Sequence, residues 1–254
     1  MTRVHSDPRV HSDPRWHSDL RVLRQLLFHR TRGKTHQDRL ESFYARQAGD
    51  YDSFRRRMLH GRERLIQKID FPQGGVWVDL GCGTGQNVEF AGDRVRGLSR
   101  IQLVDLSPSL LAVADERSRS VRGPRVMTHL ADATAFRLSP ETVDVVTFSY
   151  SLTMIPDWFA AIENAVNMLR PGGVLGVTDF FISRKHIDSP EVRHRWMTRL
   201  FWQHWFAMDN VFLSGDHLAM LRRRLHPLHL EQHRGKVPYL PLLKAPYYVF
   251  VARK

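Results

Sequence analysis

Between residues 76 and 180, short apolar runs alternate with longer stretches of mixed character. The runs at 76–80, 101–105, 126–130, 143–149 and 174–180 are rich in Val, Leu and Ile, and their length and composition predict strands. Apolar spacing of three and four predicts helices at 85–91, from 108 to about 118, and at 157–169, the last closed by Arg170-Pro171-Gly172-Gly173. Strands that alternate with helices imply an α/β domain, doubly wound, with a mostly parallel sheet covered on both faces. Runs at 228–233 and 247–252 predict a closing strand pair.

The flanks differ. Residues 38–67 predict one or two helices, with Leu40, Phe43 and Tyr44, then Phe54, Met58, Leu59, Leu65 and Ile66, on apolar faces. Residues 192–225 are rich in Trp, Phe, Arg and His and predict a helical cap, an insert at about 185–225. Residues 20–30 predict a short basic amphipathic helix, which suits either an anionic bilayer or docking on the domain. Before it, Val4-His5-Ser6-Asp7-Pro8-Arg9 recurs at 10–15 and, degraded, at 16–21. Six residues are too few for a solenoid unit, and the prolines block helix, so 1–19 reads as a disordered tail. The division expected is thus 1–19 tail, 20–70 helices acting as lid and membrane contact, and 71–254 one domain.

The net charge is +12, from 38 Lys and Arg against 26 Asp and Glu. Such a balance points to a polyanionic partner, nucleic acid or an anionic membrane surface, or else to solvated arginines. The basic residues are scattered and no RNA-binding module is evident, so nucleic acid is not expected. Cys82 is the single cysteine, which excludes an internal disulfide. No apolar run is long enough to span a bilayer, and the first residues lack a secretory signal pattern. The expected place is the cytoplasm, peripheral to the inner face of the membrane. No metal site is expected.

Glycines at 81, 83 and 85 follow the first strand and precede a helix. They permit a tight turn and let a ligand approach bare backbone. A dinucleotide fingerprint places its last glycine three residues after the second; here the interval is two, and no Lys-Ser/Thr pair follows. The loop therefore suits a ligand without a polyphosphate. Asp105 ends the second strand, where a carboxylate can accept ribose hydroxyls, and Asp132 and Ala133 follow the third, where acid and apolar wall suit an adenine. Ser149 and Tyr150 follow the fourth.

Asp79-Leu80-Gly81-Cys82-Gly83-Thr84-Gly85, the acid at 105, Ala131-Asp132-Ala133 and Leu169-Arg170-Pro171-Gly172-Gly173 resemble the ordered motifs of class I S-adenosylmethionine-dependent methyltransferases. The resemblance implies a Rossmann-like sheet of seven strands with an antiparallel C-terminal strand. It also implies S-adenosylmethionine as cofactor and S-adenosylhomocysteine as product. By it, Asp79 and the backbone of Gly81, Cys82, Gly83 and Gly85 hold the amino-acid part, Asp105 and Leu106 the ribose, and Asp132 and Ala133 the adenine, with Tyr51 and Ser149 completing the set. Cys82 fits a small loop position and has no evident partner that would make it a nucleophile.

Outside that core, residues 43–55, Leu59-His60-Gly61-Arg62-Glu63, Phe201-Trp202-Gln203-His204-Trp205-Phe206, Val211-Phe212-Leu213-Ser214, Asp216-His217-Leu218, 234–243 and Pro246-Tyr247-Tyr248 resemble the methylating part of betaine-lipid synthases. That resemblance implies three successive N-methylations of diacylglyceryl-homoserine, with a separate 3-amino-3-carboxypropyl transferase supplying the lipid. The attacking amine must lose a proton, and Asp179 and His204 are candidates to take it, with Tyr150 beside the reacting atoms. Tyr44, Tyr51, Tyr150, Trp202 and Trp205 offer faces for a fixed cation, and Arg55 a partner for the carboxylate. Three alternatives share the cofactor loop: a methyltransferase of the quinone or phenol type, one acting on RNA, and a cofactor-binding protein without turnover.

Overall fold

The computed structural model describes residues 57–187, 192–208, 210–238 and 240–254. Tyr44, Tyr51, Arg55, the repeat tail and the basic helix at 20–30 lie outside the described residues, as does most of the segment at 38–67.

Among the described residues the chain runs α1 (Arg62–Gln67), β1 (Val76–Leu80), α2 (Gln86–Ala91), β2 (Arg100–Asp105), α3 (Pro108–Ser118), β3 (Arg125–Leu130), β4 (Val143–Ser149), α4 (Trp158–Met168), β5 (Leu169–Phe180), α5 (Trp196–Ala207), α6 (His217–Arg224), β6 (His226–Val237) and β7 (Leu240–Arg253). The strands form one seven-stranded sheet in the order β3-β2-β1-β4-β5-β7-β6. The first five are parallel; β7 runs antiparallel to β5 and to β6. The order reverses between β2-β1 and β1-β4, and such a switch point opens a crevice at the strands' carboxyl ends.

Alternate residues of each central strand feed two separate cores. Trp77 and Val249 belong to the layer with Leu65, Ile66 and Ile69 of the N-terminal side. Val78, Tyr248 and Phe250 belong to the layer with Ile162 and Ala165 of α4 and Leu218 and Leu221 of α6. This period of two on a sheet buried from both sides explains the nearly unbroken apolar runs. Local chemistry sets the helix starts. Ser107 Oγ accepts the Leu110 N–H at 3.3 Å, with Pro108 in the first turn, and Asp157 accepts the Ala160 N–H at 3.1 Å.

Three elements differ from the sequence reading. The cap is only partly helical: α5 and α6 are separated by irregular chain through Phe212 and Leu213. The closing strands are longer than the apolar runs, because each pairs through polar positions as far as the hairpin tip. Strand β5 begins at Leu169, paired with Val143, before the Arg170–Gly173 kink; regular pairing resumes at Val174 with Val145. No helix among the described residues is long and apolar enough to cross a membrane.

Candidate functional site

The turn after β1 is held from two sides. The N–H groups of Gly81 and Cys82 both donate to Val104 O, at 2.8 and 3.0 Å, so the loop is pinned to β2. Gly83 N–H donates to Asp105 Oδ2 at 2.8 Å, and Ser107 N–H to Asp105 Oδ1 at 2.9 Å. Gly81 has φ +70°, and a Cβ there would fall 2.4 Å from Ser151 Cβ. The glycine at 81 is thus required by both conformation and contact.

This loop, the ends of β2 and β3, and the turn after β4 enclose a cavity of about 210 Å³. Gly81, Gly83, Asp105, Leu106, Asp132, Ala133 and Tyr150 line it, with Met154, Ile155 and Pro156 forming an apolar side. Asp132 Oδ1 accepts both the N–H and the hydroxyl of Thr134, each at 2.7 Å. A carboxylate at each of two neighbouring strand ends, facing an apolar wall, is suited to a nucleoside: one acid for ribose hydroxyls, one for an exocyclic amine.

Asp79, Cys82, Gly85 and Ser149 do not line the cavity; they stand behind it. Asp79 is fully buried. It accepts from Thr147 Oγ1 at 2.6 Å and from Asn87 Nδ2 at 3.0 and 3.2 Å. Burial pushes its carboxyl up to about 6, against those hydrogen bonds and the charge of Arg62. Gly85 starts α2 at φ +71°, close against Ala114. Cys82 is buried, its thiol 3.5 Å from Gly83 O.

Arg62 was missed as a site residue by sequence reasoning. It is buried, and it donates to Ser149 Oγ at 3.1 Å, Gln86 Oε1 at 2.8 Å and Asn87 Oδ1 at 3.2 Å. One guanidinium therefore joins α1, the end of β4 and the first turn after the glycine loop. Two sequence signals pointed to it: Leu59-His60-Gly61-Arg62-Glu63 lay in a segment with a family resemblance, and polar Gln86-Asn87 follow Gly85 where an apolar helix face was due.

The residues expected around the reacting atoms separate. Tyr150, at φ +57°, donates its hydroxyl to His60 O at 2.6 Å, and burial pushes its phenol well up, so it acts as a donor at neutral pH. Asp179 is buried at the end of β5, where it accepts from the Thr153 hydroxyl at 2.7 Å, Thr153 N–H at 3.2 Å and Phe180 N–H at 2.8 Å. Burial pushes it up to about 7 despite these bonds. The structure does not bring His204 to the cavity: it is exposed on α5, its Nδ1 3.0 Å from Leu200 O of its own helix. Trp202 is buried against Phe206 at 5.4 Å between ring centroids, and Phe206 lies 4.5 Å from Phe180, so Trp202 anchors the cap rather than presenting a free face. Among the described residues no group of three His, Cys, Asp or Glu could hold a metal.

Residues 78–173 match the model of a methyltransferase-domain family. The chain is 28% identical over 146 residues to a 2-phytyl-1,4-naphtoquinone methyltransferase of Thermosynechococcus vestitus, a match covering 56% of this chain and 64% of that one. It is 27% identical over 176 residues to a malonyl-[acyl-carrier protein] O-methyltransferase of Marinomonas, covering 69% and 59%. The aligned part thus spans less than two thirds of either relative. Quinone methyltransferases recur among the relatives. In fold it resembles phosphoethanolamine N-methyltransferase 2 of Haemonchus contortus in complex with S-adenosyl-L-methionine, with TM-score 0.64, 15% identity, and coverage of 87% of this chain and 60% of that one.

Proposed function

We propose that this chain, whose residues 78–173 form a class I S-adenosylmethionine-dependent methyltransferase domain, transfers the cofactor's methyl group to an acceptor carrying a long apolar tail. The observation that carries the donor is Asp105: the same carboxylate that fixes Gly83 also lines the cavity beside Asp132. Methyl transfer from a sulfonium is an in-line displacement in which most of the catalysis is positioning, and a loop pinned at Val104 and Asp105 supplies a rigid cradle.

Support for an amphiphilic acceptor comes from α5. Trp196, Met197, Leu200, Phe201 and Met208 are exposed, and at helical spacing they occupy one arc of about 140°. Phe212 beyond the helix is 60% exposed. A monomer seldom leaves such a ridge to water, and it fits contact with lipid or with the membrane that holds the substrate.

Two acceptors fit. The relatives' names favour a prenylated quinone, and they support that reading better than the betaine-lipid one. The amine of diacylglyceryl-homoserine is kept for one structural reason. Segments far apart in sequence that carried that resemblance meet beside Tyr150: His60 Nε2 lies 2.9 Å from Lys236 O, and the His60 ring stacks on Tyr247 at 5.8 Å.

The full chain should be incubated with methyl-labelled S-adenosylmethionine and, separately, a demethylated prenylnaphthoquinone and diacylglyceryl-homoserine in mixed micelles, followed by lipid mass analysis. A single methyl added to the quinone supports the first acceptor; three successive additions to the lipid support the second. Transfer to neither, with transfer to a tail-free phenol or amine, rejects the apolar-tailed acceptor.

A further inference from the structure

A second cavity, of about 660 Å³, opens next to the first and shares Ile155 and Pro156 with it. Its walls are the turn after β4 with Thr153 and Trp158, the segment after β5, α5, and the loop at 212–216. Its charge is unbalanced. Arg184, Lys185 and Arg199 line it against one carboxylate, Asp216, which is already bound to Arg184 at 2.6 Å. Lys185 and Arg199 make no ion pair among the described residues, and the Nε of Arg199 is buried without a hydrogen-bond partner.

Two cations without an ion-pair partner on the wall of one cavity leave a positive site that an anionic ligand neutralises. Arginine's fork and a neighbouring ammonium suit an oxyanion, carboxylate or phosphate. The position suits an acceptor: Ile155 and Pro156 separate this cavity from the cofactor's. Thr153, which lines the basic cavity, donates its hydroxyl to Asp179.

We propose that this basic cavity binds an oxyanionic group of the methyl acceptor through Arg199 and Lys185, holding the reacting atom toward the cofactor cavity. The role as acceptor site rests on the methyltransferase reading; the binding of an oxyanion does not. Of the two acceptors above, diacylglyceryl-homoserine carries such a group in its carboxylate and a prenylated quinone carries none, so an occupied oxyanion site favours the lipid amine.

The test is calorimetric titration of the full chain, saturated with S-adenosylhomocysteine, with N-octanoylglycine, octyl phosphate and N-octanoylglycine methyl ester. Binding of a charged amphiphile at least about tenfold tighter than the ester is expected. Comparison of the two charged probes assigns carboxylate or phosphate. Arg199→Gln and, independently, Lys185→Gln on the exposed loop should each erase most of that preference while leaving the ester's affinity unchanged. Equal affinity for acid and ester, no binding of any probe, or an unchanged preference in both variants overturns the proposal. Methyl transfer is read separately: oxyanion binding without transfer to any acceptor rejects the function proposed above and leaves the anion site standing.

Discussion

Arg62→Met tests whether the glycine loop depends on a residue outside it. Arg62 supplies three charged donors, at 2.8, 3.1 and 3.2 Å, to acceptors on α2 and at the end of β4. Methionine has similar reach and no donor. It leaves Ser149 Oγ, Gln86 Oε1 and Asn87 Oδ1 without that partner, and each orphaned buried acceptor costs about 1–3 kcal/mol. Removing the guanidinium's own desolvation offsets part of this, and rotation of the Ser149 hydroxyl offsets more. Three such losses, less those offsets, leave about 2–4 kcal/mol as the loss expected here. Urea unfolding followed by tryptophan fluorescence measures it. Asn87 also donates to Asp79, and Arg62 helps to hold the Asp79 carboxyl down, so S-adenosylhomocysteine should bind more weakly as well. Arg62→Lys, lacking the planar fork, should recover less than half of the loss. A stability loss below about 1 kcal/mol in Arg62→Met would refute the reasoning, because it would mean that these acceptors are not desolvated.

Asp105→Asn keeps one acceptor where Gly83 N–H and Ser107 N–H now use two; S-adenosylhomocysteine affinity by calorimetry should fall about 10- to 100-fold, and an unchanged Kd would remove Asp105 from the cofactor site. Gly81→Ala forces a side chain to φ +70° and into Ser151, so it should cost at least about 2 kcal/mol by chemical denaturation. Adding Ser151→Gly should restore only the steric part; full restoration would mean that the backbone conformation carries no cost. Asp79 and Asp179 are pushed by burial up to about 6 and about 7. Above their unfolded values the native state then retains protons that the unfolded chain has released. Their contribution to stability is therefore fully present below about pH 4 and lost as pH rises through 6 and 7, by a few kcal/mol in all. Asp179→Asn should flatten the upper part of that decline, and an unaltered pH profile would contradict the assignment.

The α/β alternation was legible because it depends on neighbours along the chain. Apolar runs of strand length, the Ser107-Pro108 and Asp157 helix starts, and glycines at 81, 83 and 85 each act within a few residues. The glycine interval of two, with acids at 105 and 132, was enough to choose a nucleoside ligand without a pyrophosphate. Those two acids do line one cavity. The boundaries of β6 and β7 were not legible, because pairing with each other, rather than hydrophobicity, extends them.

Tertiary structure decided what faces what. Whether His204 points to substrate or to water follows from which arc of α5 packs on Phe180, and that arc carries Trp202 and Phe206. Arg62 looked like one basic residue among 38, and its partners lie 24, 25 and 87 residues away. Asp179 is held by Thr153, 26 residues earlier, and its raised proton affinity comes from burial that no local pattern records. The unbalanced charge of the second cavity has the same origin: Arg184, Arg199 and Asp216 belong to different segments. The sequence by itself determined the order of elements and the glycine turn after β1, since both are set by local conformational preference. Burial, charge pairing and the lining of the two cavities were decided only when the sheet brought distant segments together.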